Sequence, residues 1–211
     1  MGAEVRGKMI VKQLAVGGLD HNFSYLVFDE ETGEAALIDP TGNVGAIRDS
    51  LKECQNIHPK YVLLTHGHHD HYSGIGEAKT FFDAPVAAHP RCSLKPDIEV
   101  KNGQRLPLGK GYIECIYSPG HSGDSVIYRL GDDSAIFTGD TLFVDWCGYC
   151  DPETMFHTMR EVVYPLADSN EVYPGHDYGS LPHAPLGEEK RKNPYLYTTD
   201  YKRFCEELNK L

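Results

Sequence analysis

Apolar-rich runs from Met9 to Ala15 and from Phe23 to Glu30 read as strands, and the turn Glu31-Thr32-Gly33-Glu34 leads into a third, Ala35 to Ile38. Asn43 can cap a helix whose apolar positions Val44, Ile47 and Leu51 share one face, and Tyr61-Val62-Leu63-Leu64 follows as a buried strand. A helix is expected near Ile75 to Phe82. Short strands are expected at Pro85 to Ala88, Tyr112 to Tyr117, Ser125 to Leu130 and Ser134 to Phe137. Asp151 and Pro152 open the clearest helix, with Met155, Phe156, Met159, Val162 and Val163 as its stripe and Pro165 as its stop. After a loop from Tyr178 to Asn193, a last helix aligns Tyr201, Phe204, Cys205 and Leu208. Two groups of strands with helices between them predict one α/β (α+β) domain over residues 1–211, two sheets covered by helices on the outside. Its core spans about 9–193 and its closing helix about 198–210.

Composition narrows the class of function. The chain has 211 residues, 20 Lys plus Arg against 31 Asp plus Glu, and a net charge of −11, which argues against a nucleic-acid partner. The longest apolar runs are four residues, as in Ala35 to Ile38, far short of the roughly 20 that span a membrane. Met1 to Arg6 lack an apolar signal core, so a cytoplasmic protein without a membrane partner is expected. Six scattered cysteines are read mostly as reduced thiols; Cys147 and Cys150 form a Cys-x-x-Cys for which a redox or extra zinc role is the lesser reading, because no second pair accompanies it. The cluster Glu188 to Lys192 interleaves both signs and reads as a solvated helix end or loop. What stands out is 11 His.

Their positions explain the number. Thr65-His66-Gly67-His68-His69-Asp70-His71 follows a buried strand, too polar for core, so it faces solvent or a ligand. His66 and His68, two apart in an extended loop, can grip one metal, while Asp70 and His71 reach a second. Three further candidates stand in loops with turn chemistry: His121 after Ser118-Pro119-Gly120, Asp140 after Thr138-Gly139, and His176 after Pro174-Gly175. His21, His58, His89, His157 and His183 are isolated and read as background.

His66-x-His68-x-Asp70-His71, followed by His121, Asp140 and His176, resembles the metallo-β-lactamase superfamily from about Met9 to Asn193. The resemblance implies a four-layered αββα sandwich. It also implies two metal sites: His66, His68 and His121 on one ion, Asp70, His71 and His176 on the other, and Asp140 bridging both. Asp39, at a strand end, matches an acid position that supports the ligands. Asp140 stands where the lactam-hydrolysing branch usually has Cys, so a β-lactamase is not expected. Thr138 to Val144 with Cys147-Gly148 is similar to glyoxalase II, Gly175-His176-Asp177-Tyr178 is similar to both glyoxalase II and persulfide dioxygenase, and Glu188 to Leu196 resembles the stretch before their C-terminal helices. Tyr178 then corresponds to a substrate-binding position. Tyr149 and Asp151 stand where glyoxalase II has its Lys and Tyr, so the basic glutathione anchor is absent.

The resemblance implies hydrolysis of a small-molecule thioester, with two divalent ions, most simply Zn2+ with Fe2+ or Mn2+ as substitutes, lowering the pKa of a shared water. Asp70 and Asp140 would hold and orient the hydroxide. The alternative is one Fe2+ on His66, His121 and Asp140 oxidising a persulfide to sulfite. In both readings the partner is a small thioester or thiol-derived molecule, and the protein is a monomer or homodimer.

Overall fold

A computed structural model describes residues 7–210; Met1 to Arg6, on which the reading of a missing signal core rested, lie outside the described residues. Strands β1 (Met9–Gly17), β2 (Asn22–Asp29), β3 (Glu34–Ile38), β4 (His58–Leu63), β5 (Val86–Ala88) and β6 (Ile98–Glu99) form one sheet in sequential order. Its first three strands pair antiparallel and the rest parallel. Strands β7 (Gln104–Leu108), β8 (Gly111–Tyr117), β9 (Val126–Leu130), β10 (Ala135–Gly139), β11 (Glu171–Pro174) and β12 (Ala184–Pro185) form the second sheet, antiparallel except for β10 beside β11.

Three apolar clusters define four layers. The central one joins the facing sides of the sheets, with Tyr25, Val27, Ile38 and Leu63 from the first against Leu106, Ile113, Tyr128 and Phe137 from the second. On the outer face of the first sheet, α1 (Val44–Lys52) and α3 (Ile75–Ala78) bury Val44, Ile47 and Ala78 on Leu26, Leu37 and Val62. On the outer face of the second, α4 (Pro152–His157), α5 (Leu186–Lys192), α6 (Pro194–Tyr197) and α7 (Tyr201–Leu208) cover Ile127, Ile136 and Val172 with Met155, Leu186, Leu196 and Phe204. This is the αββα arrangement expected from the sequence. Burying one apolar face of each sheet on its partner and the other on helices leaves no sheet face in water.

Local chemistry fixes the ends. Asn43 caps α1 through Ala46 N–H, Asp151 caps α4 through Thr154 N–H with Pro152 behind it, and Asp200 caps α7 through Arg203 N–H. Several boundaries move. The helix expected near Ile75 to Phe82 ends at Ala78. The stripe after Asp151 continues beyond α4 as a π-helical turn, Thr158–Val163. Four short strands, β6, β7, β11 and β12, were not assigned from the sequence, since two to five residues carry little periodicity. The loop expected from Tyr178 to Asn193 contains β12 and α5, and the reading of Glu188 to Lys192 as a solvated end fails at Glu189. That carboxylate is buried, accepting from Asp145 N–H at 2.8 Å and Asn193 Nδ2 at 3.0 Å. No helix among the described residues is long and apolar enough to cross a membrane.

Candidate metal centre

The ligand candidates gather at one rim because of strand direction. β3 and β4 are parallel, and so are β10 and β11; β8 and β10 each run antiparallel to β9 and so point the same way. Asp39 follows β3, His66 to His71 follow β4, His121 follows β8, Asp140 follows β10 and His176 follows β11. Cross-sheet hydrogen bonds pin the two rims together, from Phe23 N–H to Gly175 O at 2.9 Å and from Val126 N–H to Thr65 O at 2.8 Å. Two buried tyrosines reach across between the sheets. Tyr128 Oη donates to Leu64 O at 2.9 Å and Tyr25 Oη donates to Pro174 O, each just ahead of a histidine-bearing loop.

All seven predicted ligands come together, in three groups: His66 with His68 and His121, Asp70 with His71 and His176, and His66 with His71 and Asp140. Within each group the ligand atoms lie within 4.8 Å of one another. In the first, His68 Nδ1 is 2.9 Å from both His66 Nε2 and His121 Nε2. In the second, His176 Nε2 is 3.4 Å from Asp70 Oδ2. Asp140 lies between them, its Oδ2 3.5 Å from His121 Nε2 and 3.3 Å from His176 Nε2, its Oδ1 3.3 Å from His71 Nε2. The run after β4 is less exposed than its polarity suggested. His66 and His71 are buried, His68 and His69 are exposed, and Asp70 and His71 fall in a short helix, α2 (His69–Tyr72), rather than an extended loop.

In four of the five histidines the inward nitrogen is freed by what holds the outward one. His71 Nδ1–H donates to Asp39 Oδ2 at 3.0 Å, His121 Nδ1–H to Tyr149 O at 2.8 Å, and His176 Nδ1–H to Asp20 O at 2.6 Å. Thr65 Oγ1 gives its proton to Asp39 Oδ2 at 2.7 Å and so accepts from His66 Nδ1–H at 3.1 Å. Asp39 thus steadies two ligands, the supporting role expected of it. Gly175 is required where β11 ends, because a Cβ there would sit 2.4 Å from Asp140 Oδ1 and 2.7 Å from His71 Cε1.

The residues fit metal ions. The nitrogens of His66, His68 and His121 that converge at 2.9 Å turn lone pairs toward one point, which only a proton or a cation can occupy favourably. His71 Nε2 and Asp140 Oδ1 are buried without a hydrogen-bond partner, although their neighbours are close. The titration behaviour agrees. Burial holds His66 well below the usual imidazole value, with the nearby His71 adding to the effect. Burial also works against charge on His71, but the Asp140 and Asp39 carboxylates outweigh it and raise this group well above normal. Against its own burial, Asp140 is drawn well below the carboxylate range by His71 and His176; burial opposes charge on His176 too, but hydrogen bonds with Asp140 and Asp70 push it up to about 9. The His176 hydrogen bond likewise lowers Asp70. Carboxylates that keep imidazoles protonated at a buried point mark where a divalent cation would displace protons.

The chain belongs to the metallo-β-lactamase superfamily. The superfamily's sequence model matches residues 17–92. The mitochondrial persulfide dioxygenase of Homo sapiens is 31% identical over 195 residues, covering 90% of this chain and 75% of that protein. The cytoplasmic hydroxyacylglutathione hydrolase of Arabidopsis thaliana is 35% identical over 170 residues, covering 76% of this chain and 65% of that protein. Among solved structures, ETHE1 from Myxococcus xanthus superposes with a TM-score of 0.82 at 28% identity, covering 95% of this chain and 90% of that one.

Beside the cluster lies a cavity of about 390 Å³, lined by Phe143, Trp146, Cys147, Gly148, Tyr149 and Tyr178. Tyr178, the predicted substrate contact, stacks on the His176 ring at 4.8 Å and donates its hydroxyl to Asp20. Three of the isolated histidines find partners away from the cluster: His157 pairs with Glu161 at 2.8 Å, His183 with Glu171 at 2.5 Å, and His89 stacks on Tyr117. Sequence reasoning missed Asp20, Asn22, Thr65 and the Tyr149 carbonyl. Asn22 is 1% exposed and its Nδ2 donates to Asp70 Oδ2 at 3.1 Å. The one sequence signal for it was the turn Gly17-Gly18 ahead of Asp20 and Asn22; a backbone carbonyl leaves no mark in sequence.

Proposed function

We propose that this chain is a metal-dependent enzyme acting on a small thiol-derived substrate, and that its reaction is the oxidation of a persulfide to sulfite: R–S–SH + O2 + H2O → R–SH + H2SO3. This reverses the order in which the sequence ranked the two branches. The observation that carries it is that persulfide dioxygenases are 31–32% identical over 90% of the chain, whereas hydroxyacylglutathione hydrolases cover 76–83% of it and a probable zinc-dependent hydrolase that covers 90% is 27% identical. The residues His66, His121 and Asp140 would hold one Fe2+, which would supply coordination positions open to O2 and to sulfur.

The chain's own groups prepare that site. Asp39 through Thr65 orients His66, and the Tyr149 carbonyl orients His121. Phe143, Trp146, Tyr149 and Tyr178 wall the neighbouring cavity and offer apolar surface to the organic part of the substrate. Because Tyr178 donates its hydroxyl hydrogen to Asp20, its oxygen meets a substrate as an acceptor. Asp70, His71 and His176 can hold a second ion, and that intact second group favours the other reading, thioester hydrolysis, R–CO–SR′ + H2O → R–COOH + R′–SH.

Metal analysis of the purified protein, paired with oxygen uptake on a persulfide and turnover of a thioester, separates the two. The expected result is about one iron per chain and one O2 consumed per sulfite. Two zinc ions per chain, thioester turnover and no oxygen uptake would establish the hydrolase instead.

A further inference from the structure

Cys147 and Cys150 lie outside the ligand set, yet the loop they bracket clasps two of its members. The Tyr149 carbonyl accepts from His121 Nδ1–H at 2.8 Å, Gly148 N–H donates to Asp140 O at 3.1 Å, and Asp151 N–H donates to Gly120 O at 2.9 Å. The fit has no slack. A Cβ on Gly148 would stand 2.2 Å from Asp140 O and 3.0 Å from His121 Nδ1. Cys147 is 3% exposed, packed in the cluster beneath α4 and α7, and it lines the aromatic cavity. Cys150 is half-buried and directly precedes Asp151, the cap of α4. The two thiols, three residues apart, pack into the same apolar cluster; their interaction, together with burial, pushes Cys147 well up, and against its own burial it holds Cys150 below the ordinary thiol value.

We propose that Cys147 and Cys150 are a redox-active dithiol whose closure to a disulfide displaces the Gly148-Tyr149 backbone, releasing its hold on His121 and Asp140 and weakening metal binding. The oxidant is a low-molecular-weight disulfide, R–S–S–R, small enough to reach the half-buried Cys150. The Cys150 thiolate attacks one of its sulfurs, forming Cys150–S–S–R and expelling RS⁻, which takes up the proton Cys150 lost. Cys147 then loses its proton and attacks the Cys150 sulfur, expelling a second RS⁻ that gains that proton. The net change is two Cys–SH plus RSSR to one protein disulfide plus two RSH, two electrons passing from the dithiol to the reagent. An S–S bond of about 2.05 Å is shorter than any non-bonded approach of two sulfurs. Cys147 is fixed in the core and Cys150 is tied to the start of α4, so the contraction falls on Gly148 and Tyr149.

The test uses the full-length, metal-loaded protein treated with bis(2-hydroxyethyl) disulfide, then acid-quenched, alkylated and peptide-mapped by mass spectrometry. In parallel, metal affinity is measured by chelator competition. The expected result is a linkage between Cys147 and Cys150 with metal affinity at least about tenfold weaker, both reversed by dithiothreitol. Cys150→Ser should form no linkage and keep a metal affinity that the reagent does not change; Cys147→Ala serves the same purpose if that variant is unstable. No linkage between these two residues, or a linkage with unchanged metal affinity, overturns the proposal. Neither readout uses turnover, so a failure of the dioxygenase reading leaves this test intact.

Discussion

Asp39 adopts a left-handed backbone, φ 47°, which costs a residue with a side chain on the order of 1 kcal/mol. The strain persists because this conformation aims one carboxylate at Thr65 N–H, Thr65 Oγ1 and His71 Nδ1 together. Asp39→Asn keeps the shape but replaces one acceptor oxygen with a donor that faces a hydroxyl or an imidazole N–H. Metal affinity should fall by about 10- to 100-fold with the fold retained, as read by chelator competition beside circular dichroism. A drop of less than about twofold would show that His71 and His66 are oriented by something else. This residue was legible in the sequence as an acid at a strand end. Thr65 was not, because its importance comes from a relay, His66 to Thr65 to Asp39, that exists only once the ends of β3 and β4 lie side by side.

At the scale of elements, contacts at opposite rims help to join the sheets. The Tyr128 hydroxyl, carried by β9, satisfies the Leu64 carbonyl at the end of β4. Tyr128→Phe removes that donor from a buried position, and the expected loss is about 1–2 kcal/mol in urea unfolding together with weaker metal binding, since His66 lies two residues beyond Leu64. At the opposite rim, the Asp29 carboxylate ends β2 and accepts backbone N–H groups of Glu31, Thr32 and, from the β7–β8 turn, Lys110. Burial opposes its charge, but these donors together hold it below the ordinary carboxylate value. The group therefore stabilises the fold above the unfolded-state value near 3.9, and that contribution disappears as pH falls through the lower folded-state value. Asp29→Asn should be less stable than the parent by about 1–3 kcal/mol at neutral pH, with the gap closing below about pH 4 in urea midpoints measured across the range. A gap that stays constant with pH would assign the cost to shape rather than charge. The longer elements were visible in advance because each has an apolar stripe and a cap, Asn43 for α1, Asp151 for α4 and Asp200 for α7. β6 and β12, two residues each, were not, since only their neighbours make them strands.

Over the whole molecule, a net charge of −11 acquires a local meaning. Asp39, Asp70 and Asp140 meet five imidazoles at one rim, and bound divalent cations would offset the carboxylates there. Stripping the metal should lower the thermal midpoint, and restoring it to about 1,000 times its dissociation constant should return about 4 kcal/mol, read by calorimetry of the stripped and reloaded protein. An unchanged midpoint would mean that the rim is equally stable without ions. The sequence by itself determined the ligand types, their order along the chain and the alternation of strands and helices, because ligand chemistry and apolar periodicity are properties of single residues and their spacing. Only the tertiary structure decided the outward partners of the imidazoles, the burial of Glu189 and the clasp of Gly148 and Tyr149 on the centre. Those depend on backbone carbonyls, close approaches and contacts between residues up to 156 positions apart, none of which leaves a local trace in the chain.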